Sequence, residues 1–355
     1  MDDLQKSLAA SPAWFPYSMD LGTDRVSFVR LSRSDYEKAS FLDGRLLPAQ
    51  PAPQPAANWQ TWPHVATAID AAALPEACGF IFHIGHVGST LVSRLMGAQR
   101  RVFALREPMI LRTFAQISPD IGVRPGAWSQ AEFDIRLAGT LKLLSRTFDK
   151  DQLAIIKATS FVSELAPGLM SRAAAPKAVM MVVSPESYMA TILGGPNSRQ
   201  EAKILTPSRL SRLHRRIGRA AWNAASLSEG ETLALAWACE MSALAQAADI
   251  AGSRVHRVDF DEFLLDPNSL RGVFAHFGIH ATAADVSAIL DGPDMRRYSK
   301  APEYAYDRAL RVAVLNEARA NHGVEIARGL AWLERAAGEF NAVRQAIAFA
   351  DRTAA

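Results

Sequence analysis

The chain is poor in cysteine, in sustained apolar runs and in excess charge of either sign. Its two cysteines, Cys78 and Cys239, are too few for the disulfide framework of a small secreted domain. Both are expected as small buried hydrophobes in a reducing compartment. No apolar stretch reaches the length of a membrane span, and the run at 78–84 falls far short of one. The acidic start Met1-Asp2-Asp3-Leu4-Gln5-Lys6 lacks the apolar core of a signal peptide. The expectation is therefore a cytoplasmic protein with no membrane partner. A net charge of only +3 gives no case for a nucleic-acid partner either.

What is present is ordinary globular material. Apolar residues make up 49% of the chain and charged residues 21%, enough to build a large core. Residues 1–75 read as an N-terminal extension packed on that core. They hold one partly alternating strand near 26–31 and a proline-rich spacer at 50–55. From residue 78 onward, strand-like and helix-like segments alternate. Strands are expected at 78–85, 102–105, 153–156, 178–183 and 254–259. Helices are expected at 90–99, 107–117, 130–148 and 161–172, with another beginning at 185–193. This alternation predicts an α/β fold of P-loop type, a mostly parallel central sheet flanked by helices. Residues 76–300 would form the nucleotide-binding domain, with a helical insertion at about 200–252. Residues 301–355 would add C-terminal helices that cap the domain or form a homodimer face.

The strongest local signal is Gly85-His86-Val87-Gly88-Ser89-Thr90. A buried strand runs into glycines, then hydroxyl residues, then a helix. Glycines let successive backbone N–H groups turn inward, and the helix start adds free N–H groups and the positive end of its dipole. The result is an anion cradle suited to phosphate. It is not a Walker A loop, because Ser89 stands where the lysine should be and the first glycine would fall on His83. That argues against a P-loop kinase.

This strand followed by Gly-Ser-Thr-Leu resembles the 5′-phosphosulfate loop of sulfotransferases that use 3′-phosphoadenosine 5′-phosphosulfate (PAPS) and release the 3′,5′-bisphosphate (PAP). In that family a lysine or arginine commonly precedes the loop's small residues, and here His86 holds the place. Arg106-Glu107-Pro108 resembles the family's Arg-Glu-Pro stretch, which implies that Glu107 is the catalytic base. Lys157-Ala158-Thr159 resembles its strand-end Lys-Thr segment, which implies that Lys157 stabilises charge developing on the bridging oxygen. His86 is a second candidate for that role. The strand leading to Ser184-Pro185 resembles the one that reaches the 3′-phosphate. Val183 replaces the family's arginine there, and Thr191 replaces its serine. Met295-Arg296-Arg297-Tyr298-Ser299-Lys300 resembles the late basic loop, so Arg296, Arg297 and Lys300 are candidates for the 3′-phosphate.

Arg209, Arg212, Arg216 and Arg219 recur at helical spacing, opposite Leu210, Leu213, Ile217 and Ala220. They are a solvated face, a replacement for the missing phosphate contact, with Arg209 the leading candidate, or a site for an anionic acceptor. No metal is implied, since His83 and His86 lack a third ligand. The resemblance implies sulfuryl transfer to a hydroxyl or amine of an acceptor that is a small molecule, a carbohydrate or a peptide. A non-catalytic relative that keeps the fold as a binding module remains the alternative.

Overall fold

The computed structural model describes residues 6–8, 11–43, 59–123, 128–301 and 303–351. The proline-rich spacer at 50–55 lies outside them. Three antiparallel strands, β1 (Trp14–Asp20), β2 (Arg25–Arg30) and β3 (Trp59–Thr61), form a small sheet in the order β1-β2-β3. Only β2 was legible in the sequence. The alternation of β1 is broken by Pro16, and the register shifts between Pro16 and Ser18.

The main sheet has five strands: β4 (Cys78–His83), β5 (Val102–Arg106), β6 (Leu153–Lys157), β7 (Ala178–Val182) and β8 (Val255–Asp259). All neighbours are parallel and the order is β5-β6-β4-β7-β8. Every residue of β4, β5 and β7 is buried, because helices cover both faces, and this is why these strands read as unbroken apolar runs. Each expected strand of this sheet is present, shifted by no more than two residues at either end.

The helices depart further from expectation. The helix expected at 107–117 begins at Met109, with Pro108 as its N-cap. The segment 161–172 divides into a 3-10 stretch, Ser160–Leu165, and a short α-helix, Ala166–Met170, with Pro167 in its first turn. Within 200–252 lie most of Pro196–Ile217 and all of Glu229–Ala251. The second of these is buried along most of its length. Its start is set by a capping box between Ser228 and Glu231. It crosses the long Arg308–Glu339 helix where Gly230 meets Gly329. A side chain on Gly230 would stand 1.8 Å from the Glu325 carbonyl oxygen, so the two backbones touch only because glycine is there. The exposed edge of β8 is approached by the last helix, Asn341–Asp351, where Arg257 donates to the Ala350 carbonyl at 2.9 Å.

Candidate active site

In an open parallel sheet, ligands bind beyond the carboxyl ends of the strands, where the strand order reverses. Here the turn after β4, Glu107 after β5, Lys157 closing β6 and Phe260 after β8 all gather at that edge. The turn after β4 curls through three left-handed residues, Gly85 (φ 90°), His86 (φ 57°) and Gly88 (φ 65°). A Cβ on Gly88 would lie 1.9 Å from the Phe260 ring, so close packing as well as conformation demands glycine. The helix Ser89–Gly97 starts immediately, and Ser89 and Thr90 in its first turn are buried. The Thr90 Oγ1 is buried and has no hydrogen-bond partner among the described residues.

This turn forms one wall of a cavity of about 280 Å³. Thr191, Phe260, Arg297, Lys300, Tyr306, Arg308 and Arg311 complete much of the remainder. Arg311 is held at 2.7 Å from Asp261 and lies 4.8 Å above the Phe260 ring. Tyr306, Arg308 and Arg311 come from the C-terminal region, where the sequence carries no recognisable signature. They reach the site because the segment following the basic loop turns back on it, with Tyr306 N–H donating to the Arg296 carbonyl at 3.1 Å. Arg296 itself is exposed and lies off the cavity wall, whereas Arg297 and Lys300 are on it. Asp294 and Asp307 also line it, which leaves the wall net cationic. Thr191 donates its hydroxyl to the Ser187 carbonyl at 2.7 Å. Val183 is fully buried, and its carbonyl accepts from Trp237 Nε1 at 3.2 Å.

A second cavity of about 120 Å³ adjoins the first, with Gly85, Glu107, Arg112, Thr159 and Arg209 on its wall. His83, His86, Ser198 and Lys300 line both cavities. Glu107 adopts φ 55° and stands outside the helix that was expected to begin with it. Its N–H donates to the Lys157 carbonyl at 2.7 Å, and its carboxylate accepts from Lys157 Nζ. Lys157 is 0% exposed. Burial pushes its ammonium down to about 8, against the opposing pull of Glu107. Lys157 therefore closes its strand as expected but stands behind Glu107 rather than facing the crevice. Lys300, by contrast, stands on the walls of both cavities. Arg106 is a structural tie: its guanidinium donates to the carbonyls of Ala39 at 2.6 Å, Glu37 at 3.0 Å and Tyr36.

The two histidines are neutral. His83 Nδ1 accepts the Gly85 N–H at 3.0 Å, so the ring proton resides on Nε2. The Ala158 backbone lies close to the ring, but no group among the described residues meets the buried Nε2 with hydrogen-bond geometry. Burial, with Lys157 and Lys300 nearby, holds His83 well below the ordinary imidazole range. Burial, with Lys300 and Arg209, pushes His86 down to about 3. The loop position that is commonly basic is thus uncharged here, and His86 can act only as a hydrogen-bonding group.

The arginine face of Pro196–Ile217 points inward, which overturns its reading as a solvated face. Arg209 donates to Glu240 at 3.0 Å and Arg212 to the same carboxylate at 2.7 Å; Glu240 is fully buried. Arg216 reaches Glu164 at 2.7 Å. Arg209 lies on the smaller cavity, not the larger one. Among the described residues no group of three His, Cys, Asp or Glu is placed to hold a metal ion. No helix of the described residues is long and apolar enough to cross a membrane.

No family model matches the chain, and no curated protein matches it. Among solved structures, the chain is similar to the sulfotransferase domain from the curacin biosynthetic pathway, with 12% identity over 70% of this chain and 97% of that one, at a TM-score of 0.39. It is also similar to the sulfotransferase domain of the Synechococcus PCC 7002 olefin synthase, with 12% identity, coverage of 78% and 95%, and a TM-score of 0.40. A sulfotransferase from Mycobacterium avium gives 13% identity, coverage of 72% and 81%, and a TM-score of 0.38.

Proposed function

We propose that the chain is a sulfotransferase that moves a sulfuryl group from PAPS to a hydroxyl or amine of an acceptor. The observation that carries this reading is the pair of joined cavities. The phosphate-cradle turn lines the larger, Glu107 lines the smaller, and His83, His86, Ser198 and Lys300 stand on both walls. A donor held on one side would present its reacting group to an acceptor held beside a carboxylate on the other.

The residues of the larger cavity suit a bisphosphorylated nucleotide. Thr90 brings a buried hydroxyl that has no partner among the described residues, at the positive end of a helix. Arg297, Lys300, Arg308 and Arg311 supply cationic charge on the facing wall. When bound, PAPS supplies the electrophilic sulfuryl group, and PAP is what remains. Glu107 takes the acceptor's proton as its oxygen or nitrogen attacks. Lys157 holds that carboxylate in place from behind, and Lys300 places positive charge at the junction of the two cavities. In-line positioning by the two walls contributes much of the remaining acceleration.

Titration calorimetry with PAP tests the donor assignment. Binding in the micromolar range, weakened at least tenfold in Arg311→Ala, is expected. Absence of binding in the folded wild-type protein would remove PAPS as the donor.

A further inference from the structure

The smaller cavity contains polar groups that the protein does not satisfy. His83 Nε2, Arg112 Nε and Thr159 Oγ1 are all buried without a hydrogen-bond partner among the described residues, and all three residues line this one wall. Buried donors left unpaired are rare in folded proteins and point to an oxygen-bearing ligand. His83 can only donate, because its Nδ1 is already occupied by the Gly85 N–H. Arg112 can only donate as well.

The other charged groups of the wall are accounted for. Glu107 is paired with Lys157, and Arg209 with Glu240. Glu201 is exposed, and Lys300 is shared with the larger cavity. Arg112 makes no ion pair among the described residues. It rises from the first turn of the Met109–Ile117 helix, next in the chain after Glu107-Pro108. A guanidinium beside the proposed base, without its own carboxylate, matches an anionic group on the ligand.

We propose that the acceptor is a small hydroxylated molecule carrying its own anionic group, a carboxylate or a phosphate, which Arg112 binds while Glu107 takes the proton from the hydroxyl. This rests on the sulfotransferase reading above. The step balances: the acceptor oxygen forms the new bond to sulfur, the donor's sulfur–phosphate oxygen bond breaks, and the hydroxyl proton passes to Glu107. The cavity, about 120 Å³ against about 280 Å³ for its neighbour, favours a compact acceptor.

The test uses the full chain, PAPS and four phenols that share one ring: 4-hydroxyphenylacetate, 4-hydroxyphenyl phosphate, 4-ethylphenol and tyramine. At least one anionic phenol should exceed 4-ethylphenol by tenfold or more in kcat/KM, and tyramine should be poorest. The carboxylate and phosphate arms show which anion the site takes. In Arg112→Gln the preference should collapse to within about threefold, and Arg112→Lys should keep part of it. PAP affinity in each variant reports on folding, since Arg112 is off the donor cavity. If PAP binds and no phenol turns over, calorimetry of the same phenols with the PAP-loaded protein replaces the rate, and absent or equal binding overturns the proposal. Equal turnover of charged and neutral phenols, or a preference that survives Arg112→Gln, also overturns it while leaving the donor assignment intact. Failure of PAP itself to bind removes the donor reading, and this proposal with it.

Discussion

Glu107 and Lys157 are joined twice. The register of the parallel strands sets Arg106 opposite Lys157, and the next N–H, that of Glu107, donates to the Lys157 carbonyl at 2.7 Å. The chain then turns through φ 55° at Glu107, and the carboxylate returns to accept from Lys157 Nζ. A left-handed conformation at a non-glycine residue costs about 1–2 kcal/mol. The backbone bond and the buried ion pair together offset it.

Replacing Glu107 by glutamine should separate chemistry from binding. Loss of a general base lowers kcat by roughly 100- to 10,000-fold, while PAP affinity should stay near the wild-type value because Glu107 lies off the donor cavity. The variant also leaves the Lys157 ammonium, 0% exposed, without its counter-charge, so a lower melting temperature is expected. Steady-state kinetics and PAP calorimetry on one preparation check this. Unchanged turnover would remove Glu107 as the base.

The pH dependence of Lys157 has a definite sign. Burial holds it at about 8 in the folded chain, against 10.5 when unfolded. Between these values the unfolded chain binds a proton that the folded chain has released, so this group's contribution to stability rises with pH, by up to about 3 kcal/mol. Activity should move the opposite way, with kcat falling as pH passes about 8 and Glu107 loses its cation. Denaturant midpoints and kcat from pH 7 to 10.5, in wild type and Lys157→Arg, check both slopes. The arginine variant should lose both transitions.

His83 gives an acid-side counterpart. It is neutral when folded and is held well below 6.5 by burial, so stability should fall as pH drops below 6.5 and the unfolded chain takes up the proton. His86, pushed down to about 3, adds a contribution of the same sign over this range. Urea midpoints between pH 7 and 4.5 should fall less steeply in His83→Gln than in wild type. Parallel slopes would show that His83 carries a charge in the folded chain.

Gly88→Ala should be severely damaging, because the new methyl group meets the Phe260 ring at 1.9 Å and the residue must still adopt φ 65°. A fall of at least tenfold in PAP affinity, with a lower melting temperature, is expected. Adding Phe260→Ala removes the collision but not the left-handed penalty of about 1–2 kcal/mol. The double variant should therefore recover part of the stability and remain below Phe260→Ala alone.

Glu240→Gln should reveal the arginine face as structure. It strands two buried guanidiniums, those of Arg209 and Arg212, at a cost of about 3–5 kcal/mol. PAP affinity in the remaining folded fraction should change by less than about threefold. Denaturant unfolding and calorimetry decide the matter, and a large affinity loss without destabilisation would return these arginines to the ligand.

Strands β4 to β7 were legible because strands buried on both faces are largely apolar, and the Gly and Pro residues that end them are local signals. The turn Gly85–Thr90 was legible for the same reason, since conformation and chemistry both reside in adjacent residues. The arginine helix was left open between a solvated and a ligand-binding face, because helical spacing shows that Arg209, Arg212 and Arg216 share a face but not which way it points. Glu240 and Glu164, distant in the chain, turn that face inward. Arg112 carried no signal at all, being the one charged residue on a largely apolar helix.

By itself, then, the sequence determined what depends on neighbours along the chain: parallel apolar strands, a glycine turn that exposes N–H groups, and a carboxylate one strand and one helix later. Only the tertiary structure decided what depends on partners across it. Whether Lys157 faces a ligand or clasps Glu107, and which arginines retain no counter-charge among the described residues, are set by residues far apart in the chain. Burial makes those pairings strong, because charges removed from water must find either one another or a ligand.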